Sequence, residues 1–304
     1  MWPSTDTRRH LAGSLLALML CGPAAAQAAA PLPAPNPAIR SQLDIPFARV
    51  GTHTLLLDLH MPAGVPNPPL VVYLHGGAWR LGDKEEAPPI LVERGYAVAS
   101  LNFRSSDDAR FPANVHDIKA GIRFLRANAA KYGYRADRIA VSGSSSGGHL
   151  AALVGVTNGN KELEGTVGND LRESSDVQAI VAWVGAYNLE TIIPQTTPEG
   201  LKLRVPALQS LLGGSPEQVP DLARLASPVA HVDRSDPPLI ILHGDQDTNI
   251  PVNQALELDG AYRKAGLVAE LVIVPGVGHV ARPFFGPGEA ADRVIGFLQR
   301  TLGR

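Results

Sequence analysis

The pentapeptide Gly143-Ser144-Ser145-Ser146-Gly147 stands between a strand-like run, Arg138 to Val141, and an apolar helical run, His149 to Val154. Few folds accommodate that order. A strand that passes into a helix over so short a turn must bend sharply, and flanking glycines give room where strand and helix approach. Of Ser142, Ser144, Ser145 and Ser146, only Ser145 has a glycine two residues away on both sides. A serine hydroxyl becomes a useful nucleophile when it is exposed, placed beside a base and aimed at a carbonyl. The pentapeptide alone is a common Gly/Ser-rich loop, and its strand–turn–helix setting is what gives it weight.

The rest of the chain alternates in the same way. Thr54 to Leu59, Leu70 to Leu74, Tyr96 to Phe103, Val177 to Val184, Pro238 to Leu242 and Ala269 to Val274 read as strands. Pro112 opens a helix whose Val115, Ile118, Ile122, Phe124 and Leu125 share one face, and further helices are expected over Val252 to Lys264 and Glu289 to Leu302. This predicts an α/β fold, a mostly parallel central sheet flanked by helices on both faces. Residues 186–236 break the rhythm with Pro194, Pro198, Pro206, Pro216 and Pro220 among leucines, and read as a small lid or an insertion that covers an edge.

A serine needs a base. Of the nine histidines, His279 stands in a glycine-rich loop, Pro275-Gly276-Val277-Gly278, after the last strand-like run, where sheet proteins place ligand-side loops. It is read as general base and then general acid. His149 is expected to pack, and His243 to be structural at a strand end. The third group is a carboxylate, and His243-Gly244-Asp245-Gln246-Asp247 offers two, Asp245 and Asp247. The chain order of serine, aspartate and histidine is that of the α/β-hydrolases. His75-Gly76-Gly77-Ala78-Trp79 follows a strand with small residues whose N–H groups could meet a substrate oxygen, and the Ser146 N–H is a further donor.

Several classes are excluded by composition. The chain carries 27 basic and 29 acidic residues with no basic stretch, which argues against a nucleic-acid partner. With 45% apolar residues it can build a core rather than remain disordered. Arg8 and Arg9 precede the apolar run Leu11 to Leu20 and the small residues Ala24-Ala25-Ala26, a signal-peptide pattern over residues 1–26 with cleavage near Ala26. An exported, periplasmic or secreted protein is expected, by the general or the twin-arginine route. Removing that segment takes the net charge from −2 to about −3. Cys21, the single cysteine, lies within it, and Leu20 before it argues against lipid anchoring. The apolar run is too short to span a bilayer, so no stable membrane insertion is expected. Residues 27–40 read as an Ala/Pro-rich linker and 41–304 as the folded domain. The paired aspartates lack a histidine–carboxylate cluster at ligand spacing, so neither metal nor cofactor is expected.

The chain resembles the α/β-hydrolase superfamily, close to its hormone-sensitive-lipase-like and carbohydrate/feruloyl esterase-like branch. The likeness runs through His75 to Trp79, Phe103-Arg104-Ser105, Phe111 to Asp117, Gly143 to Leu150, Ser227-Pro228, His243 to Asp247 and Gly278-His279, most of residues 45 to 302. It implies a triad of Ser145, Asp247 and His279, with Asp247 rather than Asp245 as the acid. It also implies an oxyanion hole from Gly77 and Ala78 beside Ser146. Ala78 stands where a third glycine is common, and the hole is expected to survive the exchange. The expected function is an exported serine carboxylesterase acting on small or polymer-linked esters with short-chain, aromatic, carbohydrate acetyl or feruloyl groups. An amidase or peptidase on the same triad and a non-catalytic binding module are the alternatives. Trp79, Trp183 and Tyr187, with Phe284 and Phe285, are candidate pocket walls or core residues.

Overall fold

The computed structural model describes residues 39–279 and 286–303. The signal-like segment, Cys21, Phe284 and Phe285 lie outside them. Eight strands form one sheet: β1 (Ile39–Val50), β2 (His53–Pro62), β3 (Pro69–Leu74), β4 (Ala97–Leu101), β5 (Arg135–Ser144), β6 (Ala179–Trp183), β7 (Leu239–Gly244) and β8 (Ala269–Val274). Their spatial order is β1-β2-β4-β3-β5-β6-β7-β8. β2 runs antiparallel to both neighbours, and every pair from β4 to β8 is parallel. This is the α/β-hydrolase fold.

β3, β4, β6 and β7 are buried along their whole length because both sheet faces are covered. Along β3, Leu70, Val72 and Leu74 enter one buried cluster while Val71 and Tyr73 enter the other. The period of two in side-chain direction thus divides one strand between two cores. The first cluster takes helices α1 (Ala113–Ala127), through Val115, Ile118 and Ile122, and α2 (Ser146–Gly155), through Leu150 and Leu153. The second takes α5 (Glu289–Leu302), through Val294, Phe297 and Leu298. Helices α3 (Pro198–Leu212) and α4 (Asn253–Lys264) pack on the first cluster with Leu208, Leu211 and Leu258. Among the described residues, no helix is long and apolar enough to cross a membrane.

β1 is a difference from the sequence reading. It begins at Ile39, inside the stretch assigned to the linker, and only Ile45 and Phe47 of its twelve residues are buried. An edge strand with one partner needs few apolar residues, so its pattern is faint. Residues 186–236 are mostly helical, comprising Ile192–Gln195, α3, Pro220–Leu225 and the turn Pro228–Ala230.

One buried ion pair fastens the start of α1 to the chain leaving β4. The Arg104 guanidinium meets the fully buried Asp117 carboxylate through Nε at 2.8 Å and Nη2 at 2.7 Å, and the Arg104 N–H donates to it at 3.0 Å. Removing one partner strands the other charge. Arg104→Met is expected to cost ~3–5 kcal/mol in equilibrium urea unfolding, whereas a loss below ~1 kcal/mol would show that Asp117 needs no partner.

Candidate active site

The turns that carry chemistry all leave the carboxyl ends of parallel strands. β5 ends at Ser144, and Ser145 follows with φ 57° and ψ −119°, a costly conformation for a residue with a side chain. Its N–H donates to the Trp183 carbonyl at 2.9 Å and its carbonyl accepts from His149 N–H at 3.0 Å, which hold the turn. The neighbouring glycines are required by space. A Cβ on Gly143 would stand 2.3 Å from the Gly147 carbonyl oxygen, and one on Gly147 would stand 2.0 Å from that of Leu74.

His279 reaches the serine from the loop after β8. Its Nε2 is 2.9 Å from Ser145 Oγ and its Nδ1 is 2.7 Å from Asp247 Oδ2. In the tautomer this network favours, Nδ1–H donates to the carboxylate and Nε2 accepts the serine proton. Asp247 Oδ1 accepts from the N–H groups of Asn249 at 2.9 Å and Ile250 at 2.8 Å. His243 Nε2 stands 3.3 Å from Oδ2 while donating to the Ile250 carbonyl at 2.9 Å. Burial pushes the Asp247 carboxyl up, but the hydrogen bonds from His243, His279 and the Ile250 N–H outweigh it. They hold the group well below the usual carboxylate range.

Asp245 is used differently. Its Oδ1 accepts from Gly276 N–H at 2.7 Å, so it braces the loop that carries His279 and stays exposed. On the other side of Ser145, the turn after β3 brings Gly77 and Ala78 to the same cavity. Gly77 has φ +103°, open to glycine, whereas Ala78 has φ 55°, a left-handed region that alanine enters at modest cost. The glycine-only position is therefore Gly77, and the Ala78 exchange is tolerated. Ser146 is the first residue of α2, where helix geometry leaves the N–H without an intrahelical acceptor.

The cavity over Ser145 has a volume of about 570 Å³. Its walls include Tyr73, Leu81, Pro88, Pro89 and Leu203, with Arg204, Asn249 and His279. None of the three aromatic candidates lines it. Trp79, Trp183 and Tyr187 are at most 1% exposed. Trp79 Nε1 donates to His149 Nδ1 at 2.9 Å, Trp183 Nε1 donates to Ser142 Oγ at 3.0 Å, and Tyr187 Oη accepts from Gly185 N–H at 3.0 Å. Their polar atoms are satisfied inside the protein, so these rings serve the core. His149 is likewise internal: Nε2 donates to the Ala226 carbonyl at 2.7 Å, and burial lowers its pKa to about 4.

Sequence reasoning missed Tyr73, Asn249 and above all Arg204. The last had a readable signal, because buried positions 200, 204, 207, 208 and 211 form one helical stripe and Arg204 interrupts it with a charge. It is 2% exposed, and its Nη2 donates to the Asn249 carbonyl at 3.2 Å. Burial lowers its pKa to about 10, against the opposing pull of Asp247, so it remains a cation at neutral pH.

A sheet of this topology with a serine, a histidine and an aspartate hydrogen-bonded in series over it defines an α/β-hydrolase. The pattern of the BD-FAE family matches residues 57–262, and the chain belongs to that family. The match includes the Gly77 turn, Ser145 and Asp247 and ends before His279. Esterase LipQ of Mycobacterium tuberculosis (strain ATCC 25618 / H37Rv) is 32% identical over 246 residues, 77% of this chain and 56% of that protein. The chain spans about half the length of the curated relatives it matches. Among solved structures, a truncated carbohydrate esterase from gut microbiota superimposes with a TM-score of 0.79 at 32% identity. That likeness covers 87% of this chain and 97% of the other. A bifunctional GH43-CE protein of Bacteroides eggerthii gives 0.78 at 36% identity, over 86% of this chain and 35% of its own.

The geometry makes the two aspartates separable. Fluorophosphonate labelling of Ser145 is expected to slow by up to ~10⁴-fold in Asp247→Asn, as the histidine tautomer is no longer fixed. In Asp245→Asn, whose amide oxygen still accepts from Gly276, the labelling rate should change far less. A larger effect at Asp245 would reverse the assignment.

Proposed function

We propose that this chain is an exported serine carboxylesterase working through an acyl-enzyme on Ser145. The observation that carries the reading is the hydrogen-bonded series from Ser145 through His279 to Asp247, opening on a cavity. Ser145 Oγ attacks the ester carbonyl as His279 Nε2 takes its proton. Asp247 keeps the imidazole oriented and offsets the imidazolium charge. The oxyanion that forms is met by the N–H groups of Gly77, Ala78 and Ser146. His279 returns the proton to the departing alcohol, then activates water to release the acid by the reverse path. The chemistry needs no group from outside the chain other than ester and water.

Short-chain or aromatic acyl groups, including acetyl or feruloyl groups on carbohydrate, suit a cavity of about 570 Å³. The carbohydrate esterase among the similar structures supports that direction. The segment 186–236 is fixed at both ends of α3 rather than loosely hinged. Leu211 accepts from Phe111 N–H at 2.9 Å, Ser210 Oγ donates to Asp107 at 2.7 Å, and Thr197 Oγ1 donates to the Thr248 carbonyl at 3.2 Å. Such a cover favours dissolved esters over oil droplets. Export rests on the pattern from Arg8 to Ala26, with the working domain starting by Ile39, the first residue of β1.

Ser145→Ala is expected to abolish both hydrolysis of 4-nitrophenyl butyrate and fluorophosphonate labelling. Stoichiometric labelling of that variant would refute the assignment. Matched 4-nitroanilides should react far more slowly than the esters, and the opposite ranking would favour an amidase. Activity should fall beyond medium acyl chains with no jump at the solubility limit, whereas a sharp rise on emulsified long-chain esters would overturn the fixed-cover reading.

A further inference from the structure

The steps above leave one charged group in the cavity unused. Arg204 projects from the apolar stripe of α3 and lines the same cavity as Ser145 and His279. Its guanidinium lies over the Trp79 ring, 5.6 Å from the centroid, and Nη2 donates to the Asn249 carbonyl. Nε is buried with no hydrogen-bond partner, and Arg204 forms no ion pair among the described residues. A buried cation left without a counter-charge is costly, and a backbone carbonyl and a ring face compensate it only in part. The other charges near the cavity do not fill the gap. Asp247 is committed to His279 and two backbone N–H groups, and Glu86 is exposed at the rim, accepting from Asp83 N–H at 3.3 Å.

A planar fork of donors with an unspent charge, in a cavity that opens on a nucleophile, is matched by a carboxylate. Sugar hydroxyls could accept from the fork but would leave its charge unbalanced. We propose that Arg204 is a specificity-determining residue that binds a carboxylate on the substrate, so that the preferred substrates are esters keeping a free carboxylate near the scissile bond. The inference rests on the Ser145 hydrolase reading and narrows its substrate class. It changes no bond-making step: the ester is cleaved as before, and the carboxylate orients it.

Two matched pairs of probes test the two sides of the ester. On the alcohol side, 4-acetoxybenzoate is compared with neutral 4-acetoxybenzamide. On the acyl side, mono-4-nitrophenyl adipate is compared with 4-nitrophenyl hexanoate. The wild-type protein should favour the anionic member of at least one pair by about 10- to 100-fold in kcat/KM, the scale of a charge-assisted hydrogen bond. Arg204→Met should collapse that ratio, and Arg204→Lys should keep part of it. Equal preference in both pairs, or an anion preference that survives Arg204→Met, overturns the proposal. A loss that is equal for both members overturns it as well, because Arg204 would then be a structural strut. If Arg204→Met fails to fold, equal wild-type ratios still overturn the proposal, and an anion preference undiminished in Arg204→Lys overturns it too. Fluorophosphonate labelling of the wild-type protein separates the two readings. Labelling without anion preference rejects the Arg204 role alone, whereas no labelling and no hydrolysis of any probe rejects the Ser145 reading and this one with it.

Discussion

The close approach of three backbone segments at the end of β5 sets the geometry of everything above the sheet. With no Cβ at Gly143 or Gly147, the first turn of α2 lies against the last residues of β3, and the Leu74 carbonyl occupies the space a side chain would need. That contact brings the turn Gly76-Gly77-Ala78 beside Ser145, because β3 and β5 are hydrogen-bonded neighbours up to Leu74 and Gly143. The strained φ of Ser145 follows from the same bend and costs on the order of 1–3 kcal/mol. Two backbone hydrogen bonds and two buried cores hold it there. The proposed nucleophile and oxyanion donors therefore owe their proximity to two absent side chains.

How far the fold could be read from the amino-acid sequence depended on how much each element buries. β3, β4, β6 and β7 are buried along their length and stand out as short apolar runs, and α5 shows its boundaries because its apolar face is sharply separated. β1 lacked that mark, since solvent covers most of it. The positions of Ser145, His279 and the aspartates followed from turn chemistry at strand ends, and backbone geometry imposes that chemistry locally. Which aspartate meets His279 is a tertiary matter. Asp245 and Asp247 are two residues apart, and the loop folding back after β7 sends one to Gly276 and the other to the imidazole.

The aromatic residues mark the limit of the same reasoning. Trp79 adjoins the oxyanion turn in sequence, yet its left-handed φ of 61° turns it inward, where Nε1 meets His149. His149 in turn donates to Ala226 in the helical insertion. One neutral imidazole therefore ties the oxyanion turn, the helix behind Ser145 and the insertion together, using its acceptor on one side and its donor on the other. A protonated His149 could not accept from Trp79, which gives burial a structural meaning here: the lowered pKa keeps the acceptor available. Adjacency along the chain reveals none of this, because the partners lie 70 and 77 residues away.

The loop after β7 carries a second coupling. Asn249 and Ile250 direct their N–H groups to Asp247, and the Asn249 carbonyl accepts from Arg204. A peptide segment that donates to the acid on one side and accepts from the cavity cation on the other fixes both to a common backbone. The arrangement also places Arg204 near the triad with no ion pair among the described residues, and relieves its burial only in part. Asp247 is held negative by His279, His243 and the backbone, so its field reaches Arg204 without a direct contact that would compete with His279. The insertion helix is thus tied to the acid loop at Thr248 and Asn249 and to the oxyanion side at Trp79. A displacement of α3 large enough to uncover the cavity would break these ties together, leaving Arg204 without its carbonyl and ring partners. On the proposed reading, exchange of substrate is better served by an opening at the rim, where Leu81 and Leu203 are exposed. Under that same proposal, selectivity resides in what the fixed interior offers, a cation and three backbone donors, and not in the motion of a cover.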